Sequence, residues 1–137
     1  MTEPGMAAIT EPYYEALGRG RLVLQHCKAC DQAVMYPRHR CPVCHERDLG
    51  WISASGRGVL LSFAVQRFGA PSGFDADTPY ALGVVRLAED VQLLGRLWPD
   101  ADGEWNAYAC DAPVEFHPAA PEEVLRRPVA WFRLNPR

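Results

Sequence analysis

Four of the five cysteines stand in two Cys-x-x-Cys hooks, Cys27 with Cys30 and Cys41 with Cys44, separated by ten residues. Thiolates are soft ligands, and two such hooks can bring four sulfurs to one point around a tetrahedral zinc ion at about 2.3 Å. The spacer is shorter than is usual for paired hooks, but it still permits a compact pair of knuckles, and Pro42 stiffens the second one. With every ligand position filled by cysteine, no place is left for water or substrate, so the metal is expected to be structural. Binding would supply roughly 10–16 kcal/mol toward folding. A piece of roughly thirty residues needs that help, because it cannot bury an adequate core by itself. Four thiolates around a divalent ion leave net negative charge. His26, Lys28, Arg38, His39, Arg40, His45 and Arg47 lie close enough in sequence to offset it. The same cluster also reads as a phosphate-facing patch.

No second chemical constellation emerges. Cys110 lies outside both hooks and reads as a small buried apolar residue rather than a nucleophile. His117 precedes Pro118 with no obvious partner, and Gly56-Arg57-Gly58 is too short for a phosphate-cradling loop. No Ser-His-Asp order or catalytic carboxylate pair is recognisable. The net charge is −3, with 14 Lys and Arg against 17 Asp and Glu, which speaks against general nucleic-acid binding. Lys28 is the single lysine, so the cations are almost all arginines, suited to bidentate contacts with carboxylate or phosphate. The start of the chain has no cationic, apolar signal pattern, and no run of eighteen apolar residues exists to span a membrane. A cytoplasmic protein with reduced thiols is expected.

The elements around the hooks read mainly as β. Thr10 is placed to cap a helix over Glu11–Gly18, with Pro12 in its first turn and Gly18 and Gly20 to stop it. Tyr13, Tyr14 and Leu17 give that helix an apolar side, which would either pack on the chain's own body or face a partner. Short strands are expected over residues 22–26, 33–36 and 49–53. In the next stretch, Val59, Leu61, Phe63 and Val65 alternate with Leu60, Ser62, Ala64 and Gln66, as in a half-buried strand. Residues 69–79 read as a long loop. Strands over 80–87 and 91–98 form a hairpin about Glu89-Asp90. Residues 114–117 and 129–134 read as further strands, with one helical turn over 122–126 and no assignment for 104–112. Five strands with one long early loop fit a small Greek-key barrel, of which the OB-fold is the common form. The expected organisation is a leader and helix over 1–21, a zinc ribbon over 22–54 and the barrel over 55–137.

The run Tyr13-Tyr14-Glu15-Ala16-Leu17, then Gly20-Arg21-Leu22 and Gln25-His26-Cys27, resembles the zinc-ribbon and OB-fold proteins that accompany acyl-CoA enzymes. The likeness continues through Tyr36-Pro37-Arg38, Cys41-Pro42, Trp51 and Ser55-Gly56-Arg57-Gly58, then Pro71 to Phe74, Pro79-Tyr80 and the Val84 to Leu97 hairpin. Residues 99–128 depart from the pattern. The resemblance implies an N-terminal helix, a rubredoxin-like zinc ribbon and a C-terminal OB-fold barrel. It also implies an accessory subunit without catalytic residues, hetero-oligomeric with a thiolase-superfamily enzyme or a hot-dog-fold hydratase, and CoA or acyl-CoA as a possible ligand. Arg67, Phe74, Tyr80 and Arg96 are the candidate ligand-binding residues; Tyr13, Tyr14 and Leu17 are the candidate partner interface. A nucleic-acid-binding module is the alternative, and a stand-alone acyltransferase or thioesterase using Cys110 or a histidine is a third reading.

Overall fold

In the computed structural model, residues 9–69, 72–74 and 77–135 are described. Most of the expected leader, and Pro71 of the long loop, lie outside them.

Helix α1 (Glu11–Gly18) buries Tyr13, Ala16 and Leu17, the i, i+3, i+4 stripe of an amphipathic helix. Thr10 holds the N-cap position without a side-chain capping bond. The Pro12 ring in the first turn favours the helical φ there instead. At the other end Gly20 takes a positive φ of 77°. Its N–H donates to Leu17 O at 3.0 Å and the Arg21 N–H donates to Ala16 O at 2.8 Å. That bond pair is the Schellman ending, so Gly20 is the stop and Gly18 remains inside the helix.

Strands β1 (Val23–Cys27), β2 (Ala33–Val34) and β3 (Leu49–Ser53) form an antiparallel sheet in the order β2-β1-β3. Five further strands close a barrel: β4 (Arg57–Gln66), β5 (Tyr80–Leu87), β6 (Gln92–Leu97), β7 (Pro113–Phe116) and β8 (Ala130–Leu134). Their order is β4-β5-β6-β8-β7, and β7 pairs back onto β4. The β6–β8 pairing is parallel and the others antiparallel, which is OB-fold topology. Helix α2 (Pro121–Arg126) sits in the connection from β7 to β8 and lies against α1.

One detail corrects the alternation expected for β4. A bulge between Leu60 and Ser62 shifts the register, so the inward face passes from Leu60 to Phe63 and Val65. Leu60 is fully buried, whereas Leu61 is only half-buried. Gly83 and Gly95 face each other across β5 and β6. A Cβ on Gly95 would meet Ala130 O and the Phe132 ring at 2.9 Å, so the tight curl of the barrel depends on a missing side chain there.

The main core runs through both sheets. Leu22 and Leu24 of the ribbon join Leu60, Val85, Leu93, Leu97 and Phe132 of the barrel in one cluster. The segment left unassigned, 104–112, contributes Trp105 and Tyr108 to it. Their polar tips are satisfied by Leu97 O at 2.9 Å and Trp98 O at 2.6 Å. A second, very small cluster holds Cys27, Val34 and Cys41. Among the described residues, no helix is long and apolar enough to cross a membrane.

Candidate functional site

The two hooks fold into equivalent knuckles. The Asp31 N–H donates to Cys27 O, and the Cys27 N–H donates to Gln32 O, both at 2.8 Å. Cys41 repeats the pattern with His45 and Glu46, both at 2.9 Å. The fourth residue after each leading cysteine takes the same left-handed turn, Asp31 and His45 both at φ 66°. Aspartate and histidine are among the few side chains that tolerate it.

This geometry converges the sulfurs. Cys27 Sγ lies 3.6 Å from Cys44 Sγ, and Cys30 Sγ 3.5 Å from Cys41 Sγ. All four fall within 4.8 Å of one another. A tetrahedron of sulfurs at about 2.3 Å from zinc has edges of about 3.8 Å, so the spacing suits one shared ion. It is far too long for disulfides, which need about 2.05 Å. Backbone N–H groups of Cys44 and Val43 hold the Cys41 thiol down to about 6. Burial, with the Cys41 thiol beside it, pushes Cys30 up to about 12. Thiolates are the ligand form, so metal binding releases protons from the cluster. Among the described residues, the four cysteines are the one group of His, Cys, Asp and Glu that could hold a metal.

Gln25 is a support that the sequence did not disclose. Its buried amide donates to Arg38 O at 3.0 Å and accepts from the Arg38 N–H at 2.7 Å. It thereby fixes the loop leading to the second hook. Tyr36 reaches from that loop to the barrel, where its hydroxyl accepts the Leu94 N–H at 2.9 Å. Lys28, Arg38, His39, Arg40, His45 and Arg47 are exposed around the knuckles.

A second polar centre lies where the long loop meets α2. The Asp77 carboxylate, 5% exposed, receives three guanidinium groups. Arg126 binds Oδ1 at 2.8 Å, while Arg96 and Arg127 share Oδ2 at 3.1 and 3.2 Å. Arg126, then Arg96 and Arg127, hold the carboxyl down to about 2. Arg96 lies over the Tyr80 ring at 4.2 Å and Arg127 over Phe74 at 4.0 Å. Of the expected ligand residues, Phe74, Tyr80 and Arg96 thus come together, joined by Arg127 and Asp77. Arg67 stands apart, paired with Glu104 on the surface.

Of the three residues expected to face a partner, Tyr13 and Leu17 are instead consumed by the chain's own core, at 4% and 2% exposed. Their spacing turns them to the same inward stripe, and Tyr14 alone faces out. Cys110 is exposed rather than buried, carried on an outer turn. The His117 ring meets Trp98 edge-on at 5.9 Å, and its carbonyl accepts the Trp98 Nε1–H at 2.8 Å.

Comparison with known proteins agrees with this architecture. The family described as ChsH2, rubredoxin-like zinc ribbon domain, matches residues 15–50. That described as ChsH2, C-terminal OB-fold domain, matches residues 51–131. A probable enoyl-CoA hydratase alpha subunit of Thermomonospora curvata is 30% identical over 128 residues, covering 81% of this chain and 38% of that protein. A DUF35 domain-containing scaffold protein of Pyrococcus furiosus is 32% identical over 65 residues, 47% of each. The chain thus spans less than half the length of these curated relatives. Among solved structures, a chain of the Ltp2-ChsH2(DUF35) aldolase superposes with a TM-score of 0.75 at 25% identity, covering 96% of this chain and 98% of that one. A DUF35-family protein of unknown function from Sulfolobus solfataricus shares the fold, with a TM-score of 0.64 at 12% identity, covering 93% and 86%. The paired domain matches, set on a four-cysteine ribbon and a closed five-stranded barrel, make this chain a member of the ChsH2 family.

Proposed function

We propose that this chain is a non-catalytic accessory subunit of an acyl-CoA-processing complex. It docks on a thiolase-superfamily enzyme, whether thiolase, aldolase or acyltransferase, and helps to hold CoA or the acyl chain. The observation that carries this reading is the near full-length likeness to the ChsH2 chain of an aldolase. The names of the sequence relatives, a hydratase subunit and a scaffold protein, support the same role. A hot-dog-fold hydratase is the alternative partner. The four-sulfur site leaves no open position for substrate chemistry when filled. The ribbon then acts as a rigid platform beside the barrel, and the reacting groups belong to the partner.

Co-expression with a thiolase-superfamily enzyme of the same organism tests the reading. The expected result is co-elution on size exclusion at a mass above either chain, with enzyme activity raised by the complex. Separate elution, together with full activity of the enzyme alone, would sink the proposal.

A further inference from the structure

We infer that the open edge of β3 receives an extended, acidic segment of the partner enzyme as an added strand. The inference rests on the reading above that this chain is a subunit of an enzyme, and it names the surface by which the two chains join.

Register fixes which groups the edge offers. The Ala54 N–H donates to Leu22 O, and the Lys28 N–H to Asp48 O, both at 2.9 Å. Hydrogen-bonded pairs alternate along an antiparallel ladder, so the backbones of Ile52 and Gly50 face Leu24 and His26 of β1. Those of Trp51 and Ser53 face away, and β3 ends the sheet. Among the described residues, nothing pairs with their N–H and C=O groups. Leu49–Ser53 also carries no charge and no proline, the usual means of blunting an edge. The opposite edge of the same sheet is β2, only two residues long.

Two hollows lie beside this edge and join at Arg21 and Ser53. One, of about 340 Å³, lies between α1 and Trp51. The other, of about 480 Å³, lies where ribbon meets barrel, walled by Ser55, Gly56 and Phe116. An added strand points a side chain to the same face about every 7 Å. In strand addition the main chain supplies affinity, and pockets for alternate side chains supply specificity.

Charge selects the occupant. Both carboxylates of the lining are already taken, Glu15 by Arg19 and Glu115 by Arg133, each at 3.2 Å. The two arginines of the lining, Arg21 and Arg57, are exposed, and their guanidinium groups have no partner among the described residues. The joined hollows are therefore cationic, and Asp or Glu side chains on the arriving strand match them. A second copy of this chain is the poorer occupant, because β3 itself has no carboxylate to place there.

Hydrogen exchange on the zinc-loaded chain, free and in complex with a co-expressed thiolase-superfamily enzyme of the same organism, tests this. The Trp51 and Ser53 amides should exchange at least about tenfold more slowly in the complex. Arg21→Glu and Arg57→Glu, at exposed positions, should each weaken the complex about tenfold. Ser53→Pro deletes a donor that faces away from β1 and should weaken it as much. Melting curves identify any variant that fails to fold, and the two arginine variants carry the test if Ser53→Pro does. Unchanged exchange at Trp51 and Ser53, or undiminished affinity in both arginine variants, overturns the inference. Protection of the same amides in the free chain, rising with its concentration, overturns it too and assigns the edge to a second copy. A complex that forms with this edge still exchanging loses the added strand and keeps the subunit role. If no complex forms, both readings fall.

Discussion

Asp77→Asn tests how the loop before β5 is held to β6 and α2. The substitution keeps the shape of the side chain and an acceptor oxygen but removes the charge that three arginines share. Arg126 and Arg127 are 49% and 25% exposed, so water can resolvate them, and each loses no more than about 1 kcal/mol. Arg96 is different. Its side chain and that of Asp77 are both 5% exposed, so the variant leaves a buried guanidinium without its counter-charge. Breaking such a pair costs about 3–5 kcal/mol. The retained amide oxygen and the Tyr80 ring over Arg96 argue for the lower end, about 3 kcal/mol. For a domain of this size that corresponds to a fall in Tm of about 10 °C. The Asp77 carboxyl is held below its usual range, so its contribution is fully present above about pH 4 and is lost as pH falls toward about 2. Thermal melts at pH 7 should therefore separate parent from variant, and the gap should close between about pH 4 and about pH 2. Adding Arg96→Met to the variant removes the orphaned charge and should restore part of the loss. A single variant melting within about 2 °C of the parent at pH 7, or a double variant less stable than the single, would refute the reasoning.

Two further substitutions probe the frame. Gly95→Ala places a methyl group against Ala130 O and Phe132 at 2.9 Å, and should cost about 1–3 kcal/mol, read from denaturant melts; no measurable cost would show that β6 and β8 can spread. Cys41→Ser removes one of the four sulfurs and should abolish tight zinc retention, measured by elemental analysis after desalting; full metal content in the variant would contradict the four-sulfur site.

The zinc hooks were legible because their chemistry is local: Cys-x-x-Cys puts both sulfurs on one turn whatever surrounds it. Helix α1 and strand β5 were legible for the same reason, the first from its stripe and its stop at Gly20, the second from its apolar run ending at Glu89-Asp90. The bulge in β4 was not, because an extra residue leaves the alternation of residue types nearly intact while reversing what faces inward. The Asp77 hub was not, because it joins groups 19, 49 and 50 residues apart, and nothing in the spacing of Asp77 from Arg96, Arg126 or Arg127 marks them as partners. Arg96 and Tyr80 could be named from the resemblance, whereas Arg127 lay in the stretch that departed from it. The helix face stayed open between the chain's own body and a partner, because an apolar stripe at helical spacing looks the same whether it meets its own barrel or another chain; Tyr13 and Leu17 meet the barrel and Tyr14 stays exposed.

The division of the hydrophobic contacts explains why a metal and a barrel belong in one chain. Cys27, Val34 and Cys41 are the fully buried members of the cluster at the knuckles, far too little apolar surface to offset the conformational entropy of residues 27–48. Zinc must supply that difference. The other ends of β1 and β3 need no such help, since Leu24 is inside the main core, Ile52 and Trp51 pack against it, and Ala54 donates to Leu22 O at 2.9 Å. Order at the knuckles thus depends on the ion, and order at the base of the same strands depends on the barrel. Chelation should accordingly release the knuckle loops, with Tyr36 letting go of Leu94, while the barrel amides stay protected from hydrogen exchange. Loss of protection across β4 to β8 on chelation would mean that the two cores form one cooperative unit, and that the ribbon is no separable platform.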